Sequence, residues 1–292
     1  MNKSKVLCID LANMFWLCRG QHTVEESLAG GWPTVGEFLI KLNYWIRIHE
    51  PTSIVLMDDG YPDWRYNIFQ SYKQGRDETR QKDPMTEDFV RQKKDIKENV
   101  IPILPIYILH HPKLEADDLV YIFCKYLEKN NFDGEVFGFS TDDDWRQLMT
   151  YFPFVKIWNP RSKILPEAAG SNYVLYKSIL GDTSDKIPGF AKIGPKTAEK
   201  LANDQTLFNE WFNKLTIEEQ QRFGINQFLI DWNSIPKEYY DEVMTRLDNK
   251  PEFPLFKPNS LKIHCKQRRI FRFLKNFEIK EYNFGSLKPI FK

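Results

Sequence analysis

The feature that most limits what this chain can fold into is a repeated juxtaposition of short apolar runs with carboxylates. Val6–Ile9 runs into Asp10, and Ile54–Met57 runs into Asp58 and Asp59. Ile103–Leu109 leads through His110–Leu114 into Glu115-Ala116-Asp117-Asp118. Val136–Phe139 leads into Ser140-Thr141-Asp142-Asp143-Asp144, and a fifth run, Phe154–Trp158, follows. Runs that are apolar nearly throughout suit strands covered on both faces, as in a parallel sheet. Helical stretches such as Val35–Ile48 and Leu119–Lys129 lie between them. The alternation predicts an α/β fold, a mostly parallel central sheet flanked by helices.

In an open sheet of this kind, ligands bind beyond the carboxyl ends of the strands. The predicted strand ends would gather about eight carboxylates at one edge. Left alone they would repel one another and hold protons. Hard divalent cations relieve that repulsion: Mg²⁺ takes oxygen ligands and is commonly shared with substrate phosphates. A single aspartate after a strand is often only a helix cap, so the weight rests on four strand ends agreeing. Glu115 and Asp118 share a helix face by their spacing, and Asp142 and Asp144 lie close enough for one turn to aim both at one site. Asp182 and Asp185, in Leu180-Gly181-Asp182-Thr183-Ser184-Asp185, form a further pair, either a cap or a second metal position.

The chain has 292 residues, enough for one large domain or two modest ones. We expect an α/β core carrying the acidic strand ends over residues 1–170 and a helical part over 171–292. The segment Arg76–Lys97 is polar and rich in charges of both signs, which suggests a mobile excursion or a helix that leaves the core. In the second part, residues 187–201 carry a helix–hairpin–helix pattern. Gly189 and Gly194 bracket the hairpin, Pro195 suits a first helical position, and Lys196 and Thr197 stand at the helix start. Backbone amides there can hold a phosphate, a grip independent of base sequence.

Net charge is only +1, so no global basic footprint is present. The average hides a split: residues 251–292 carry +7 and the other 250 carry −6. Such a division fits a protein that holds phosphates with one part and cations with another, or simply a solvated tail. None of the four cysteines forms a C-x-x-C pair, and no His/Cys group has zinc spacing. With no signal peptide and no apolar run near ~20 residues, a cytoplasmic protein without membrane contact is expected.

Taken in order, these motifs resemble the 5′-nuclease superfamily of flap endonucleases and 5′-3′ exonucleases. The resemblance rests on Ile9-Asp10 with Asn13, Tyr72-Lys73-Gln74-Gly75-Arg76, Glu115-Ala116-Asp117-Asp118, Ser140-Thr141-Asp142-Asp143-Asp144, Gly181-Asp182-Thr183-Ser184-Asp185 and the hairpin. It is nearest to the T-even phage ribonuclease H members, through the Asp58–Arg76 stretch with Trp64-Arg65, Val155–Trp158 and Phe228–Asp231. The resemblance implies a PIN-like fold with a helical arch near residues 76–100. It implies a Mg²⁺-dependent 5′-3′ exonuclease and flap endonuclease with ribonuclease H activity, one that removes RNA primers and 5′ flaps during replication. Asp10, Asp58, Glu115, Asp117, Asp118 and Asp142 would hold one metal ion, with Asp59 an alternative to Asp58. Asp144, Asp182 and Asp185 would complete a second, and Asp143 would point away. Lys73 and Arg76 would contact the scissile phosphate, and Tyr72, Lys177, Gly189, Gly194, Lys196 and Thr197 would bind nucleic acid. Mn²⁺ would substitute for Mg²⁺, and K⁺ would sit at the hairpin. The implied partners are branched DNA, RNA–DNA hybrid and a single-strand DNA-binding protein or other replisome component, met by a monomer in a bacteriophage-infected cell. Against this stand a PIN-like ribonuclease and a catalytically inactive, structure-specific DNA-binding protein.

Overall fold

The computed structural model describes residues 3–19, 31–75, 85–277 and 284–290. Its centre is a sheet of five parallel strands: β1 (Ser4–Asp10), β2 (Ser53–Asp58), β3 (Tyr107–His110), β4 (Gly134–Phe139) and β5 (Val155–Trp158). Their spatial order is β3-β2-β1-β4-β5. Because side chains alternate across a strand, β1 sends Leu7 and Ile9 into one apolar layer and Val6 and Cys8 into the other. That two-sided burial is why the runs read as apolar throughout.

The first face is covered by α1 (Leu11–Arg19), α2 (Pro33–His49) and, further along the chain, α4 (Thr86–Asp95). A short helix, α3 (Asp63–Ile68), follows β2. The second face is covered by α5 (Ala116–Lys129), whose Leu119, Val120, Ile122 and Phe123 are buried. After β5 come a loop and then α7 (Tyr173–Leu180), α8 (Pro195–Asn203), α9 (Gln205–Phe212) and α10 (Ile217–Ile230), with α6 (Leu148–Tyr151) preceding β5. Helices α7 to α10 enclose a smaller cluster around Ile179, Phe190, Ala198 and Phe223. The chain then returns to the sheet. Trp232 and Ile235, with Val243 and Leu247 of α11 (Lys237–Asp248), join the second face. Leu261 and Cys265 of α12 (Pro258–Gln267), Phe273 of α13 (Phe271–Phe277) and Phe284 join the first. The end of the described chain is tied to the start of β2, where Lys288 N–H donates to Thr52 O at 2.7 Å and Ser53 Oγ–H donates to Lys288 O at 2.7 Å.

Two expectations need correction. The strand expected at Ile103–Leu109 is Tyr107–His110 only, and Ile101–Ile103 forms a 3₁₀ turn. Pro102 and Pro105 lack the N–H groups a ladder needs. The segment Arg76–Lys97 does not leave the core over its described part; residues 76–84, Arg76 among them, lie outside the described residues. Helix α4 packs on α2 with Phe89, Gln92 and Asp95 buried. Gln92 Oε1 accepts the Thr34 N–H at 2.8 Å, meeting a donor at the start of α2. Asp95 accepts from His264 and Arg268, both at 2.9 Å. The buried positions here are largely polar, which hid the amphipathic pattern.

All four cysteines are buried, in β1, α1, α5 and α12. Burial raises each thiol well above its usual range. Among the described residues no helix is long and apolar enough to cross a membrane.

Candidate active site

Parallel pairing aligns the strand ends: Asp10 lies opposite Met57, Ile9 opposite Phe139, and Asp58 opposite His110. The chain runs from β1 to β2 and β3 in one direction, then to β4 and β5 in the other. The crevice between the ends of β1 and β4 is therefore the topological switch point, where open sheets bind ligands. Asp10 stands there, accepting from Asn13 N–H at 2.8 Å and from Ser140 Oγ–H at 3.1 Å. Ser140 Oγ in turn accepts the Asp142 N–H at 3.0 Å, so both strand ends are laced together.

Residues of the next loops close on this crevice. Glu115 precedes α5, and the carboxylates of Glu115, Asp117 and Asp118 have oxygens within 4.8 Å of one another, close enough for one cation. Asp118 has another partner, however. Arg65 of α3 is 1% exposed and holds Asp118 through two bonds of 2.7 Å, Glu115 at 2.9 Å and the Leu229 carbonyl at 3.2 Å. Asp118 also accepts the Glu115 N–H at 3.0 Å. This completely buried carboxylate is paired with Arg65 at the helix start, whereas Glu115 also faces Lys73 and Asp117 is partly exposed. Trp232 Nε1–H approaches Asp117 at 3.4 Å.

At the end of β2 the two adjacent aspartates differ. Asp58 accepts from Lys97 at 2.6 Å. Asp59 accepts the Ala116 N–H at 2.8 Å and lies in the field of Asp10, Glu115 and Lys73. Asp142 caps the short Asp143–Gln147 turn by accepting the Asp144 N–H at 2.9 Å, while Asp143 is exposed. Asp144 accepts from Tyr173 Oη–H at 2.6 Å and from Lys177 at 3.2 Å. Lys177 also pairs with Asp182, whose other oxygen accepts from Ser184 N–H and Oγ–H at 2.7 and 2.6 Å. Lys73, with a left-handed φ of 51°, pairs with Glu115 and lies 3.5 Å from Asp185. Tyr72 Oη is within reach of Glu115 at 2.8 Å and Asp185 at 3.1 Å. Two lysines thus tie the sheet-edge acids to the Asp182–Asp185 loop.

The electrostatics divide the acids. Burial, with Asp59 and Asp142 nearby, pushes Asp10 up to about 7. The close surroundings of its carboxylate, then Asp144 and Asp185, push Asp142 up to about 6, although the residue lies at the solvent-facing lip. Burial likewise raises Asp59 and Asp117. Burial also works against Glu115, but Lys73 and Arg65 outweigh it and hold it at about 2. Asp182, with Lys177 and Ser184 against its burial, is held at about 2. Four crowded acids lacking enough positive charge, all oxygen donors and without a thiolate or imidazole among them, fit a hard divalent cation.

The hairpin lies beyond this cluster. Gly189 packs against the backbone: a Cβ there would stand 1.9 Å from Leu180 O. Asn226 Nδ2–H donates to Ser178 O and Pro188 O, at 3.0 and 2.8 Å, and fixes the entry to the turn. Gly194, Pro195, Lys196 and Thr197 are exposed, so the N-terminus of α8 opens to solvent. A cleft of about 650 Å³ lies on the other side of the acids, lined by Trp16, Asp58, Asp59, Phe89, Lys93 and Lys97. Sequence reasoning missed Arg65 and Tyr173 as site residues. Tyr173 was within reach, standing one helical turn before Lys177.

A family model, the N-terminal resolvase-like domain of 5′-3′ exonuclease, matches residues 16–175. The thermostable DNA polymerase I of Thermus thermophilus is 30% identical over 170 residues, 56% of this chain but 19% of the polymerase. The chain therefore spans about a fifth of the length of the polymerases it matches. The flap endonuclease Xni of Shewanella pealeana is 29% identical over 214 residues, 68% of this chain and 75% of that protein. In three dimensions, a flap endonuclease of bacteriophage T5, solved with DNA and metal ions, superposes with a TM-score of 0.67 at 17% identity, covering 84% of this chain and 98% of that one. The catalytic core of Rad2, solved with a DNA substrate, gives 0.53 at 14% identity, over 96% and 93%. At such identities these structures bear on the fold.

Proposed function

The chain belongs to the 5′-3′ exonuclease family, a family of nucleases, and from that premise we propose that it is a Mg²⁺-dependent 5′-nuclease. Its substrates are 5′ flaps and RNA–DNA hybrids, as in primer removal during replication. The observation that carries this reading is the meeting of Asp10, Glu115, Asp117, Asp142 and Asp144 at the switch point, with Lys73 and Lys177 threaded among them. Asp10, Glu115, Asp117 and Asp142, with Asp58 or Asp59, would hold one divalent ion, and Asp144, Asp182 and Asp185 would hold a second. When bound, the ions activate water and offset charge at the scissile phosphate.

The remaining work falls to the chain. Lys73, already among the carboxylates, would offset charge on a phosphoryl oxygen, a role the family resemblance also gives Arg76. Arg65 fixes Glu115 through Asp118 and α5. The hairpin at 187–201 would hold the duplex backbone through the exposed amides at the start of α8, with Lys196 beside them, and K⁺ would be the ion expected at the turn. The chemistry centres on the sheet edge, with Asp182 and Asp185 added from the helical part, and the grip on nucleic acid falls to the helices that follow residue 170. The setting is the cytoplasm, that of the bacterial host for a phage-encoded chain, with Mn²⁺ able to replace Mg²⁺ and a single-strand DNA-binding protein or other replisome component as partner.

The test uses 5′-end-labelled RNA–DNA hybrid, nicked duplex and 5′-flap substrates with wild type and Asp144→Asn, in Mg²⁺ and in EDTA. Short 5′ products that require Mg²⁺ and disappear in the variant are expected. Binding without cleavage by the wild type on every substrate would instead identify an inactive structure-specific DNA-binding protein.

A further inference from the structure

We propose that Tyr173 is a positioning residue for the metal centre, fixing Asp144 so that only one of its carboxylate oxygens serves a cation. The inference rests on the reading just given, in which Asp144 is a ligand. Tyr173 opens α7, and Lys177 stands one turn later on the same face. The phenol donates to Asp144 Oδ1 at 2.6 Å, and the Lys177 ammonium lies 3.2 Å from the same oxygen. Among the described residues Oδ2 accepts no hydrogen bond. An O–H···O⁻ bond of this length is in the charge-assisted range and is strong and directional.

Lys177 alone could not do this. It is shared with Asp182, to which it lies closer than to Asp144. Among the described residues the Tyr173 hydroxyl bonds to Asp144 and to no second group, so it marks that carboxylate. Packing does not explain the hydroxyl either. The Tyr173 ring contacts Tyr176 at 6.3 Å and the Lys177 ammonium at 5.8 Å, contacts a phenylalanine ring would keep. Hydrogen bonds that orient a ligand carboxylate typically shift metal affinity about 10–100-fold.

The experiment compares wild type, Tyr173→Phe and Tyr176→Phe. Mn²⁺ binding is measured without substrate, by the electron paramagnetic resonance signal of free Mn²⁺, alongside melting of the metal-free proteins. Tyr173→Phe is expected to weaken one of two bound ions about 10-fold, with the other ion and the metal-free melting temperature unchanged. Tyr176→Phe is expected to match wild type. Unchanged affinity for both ions in Tyr173→Phe overturns the proposal, as does a lowered metal-free melting temperature with unchanged affinity, which would mark a structural tyrosine. If wild type binds no Mn²⁺, the nuclease reading falls first and this inference with it, an outcome distinct from a silent Tyr173→Phe.

Discussion

Arg65 decides how the acidic residues stand. It is buried, forked onto Asp118, bonded to Glu115 and anchored on Leu229 O. Removing one member of such a buried ionic group leaves its partners uncompensated, at a cost of about 3–5 kcal/mol. Arg65→Met should lose about that much unfolding free energy in urea; a loss well under 1 kcal/mol would mean that Asp118 finds another partner. The protonation of Asp10 and Asp142 gives a second expectation. Both carboxyls titrate above their ordinary 3.8, at about 7 and about 6. Between about pH 4 and pH 7 the native state then binds more protons than the unfolded chain, so metal-free stability falls as pH rises through that window. Glu115, held at about 2 against an ordinary 4.5, acts oppositely: its contribution is complete above 4.5 and lost only in acid. Mg²⁺ should therefore raise the melting temperature more at pH 8 than at pH 5.5, in paired thermal scans. Equal rises would contradict the protonated cluster.

At the scale of elements, the sequence was most readable where one rule acts locally. Val6–Ile9 and Ile54–Met57 are apolar on both faces, and an acid follows each, so strand, layer and edge could be inferred together. The same rule misread Ile103–Leu109, because two prolines remove ladder donors from an apolar run. It misread α4, because Gln92 and Asp95 are buried against partners on α2 and α12 far along the chain. Arg65 and Tyr173 were hidden for a related reason: each acts through a partner at least 29 positions away. No periodicity records such pairs. The hairpin is the opposite case, since Gly189, Gly194 and Pro195 answer to neighbours within a few residues. Gly189→Ala would force a carbon into the Leu180 carbonyl and should disorder the turn, weakening duplex binding in a filter-binding assay. Lys196→Ala should be milder, lowering the salt dependence of log K by about one unit, as loss of one phosphate contact does. An unchanged slope would remove Lys196 from the interface.

At the scale of the whole molecule, the basic C-terminal segment is part of the fold. Leu261, Cys265, Phe273 and Phe284 fill the same apolar layer as Phe38 and Leu39 of α2. Deleting residues 258–292 should abolish cooperative thermal unfolding by circular dichroism, so any partner that docks there is better sought with exposed changes such as Ile263→Ser or Phe271→Ser. A truncated chain that melts like the full one would show that this layer closes without its C-terminal wall. The placement of the thiols has a different kind of consequence. Cys8 sits mid-sheet, Cys18 and Cys124 on helices of opposite faces, and Cys265 on the returning C-terminal helix. Each is sealed and protonated in the native state, so an alkylating reagent added to folded protein records openings alone. Four natural stopwatches are thereby distributed through the layers, and the order in which they are tagged would read out which wall of the molecule comes away first.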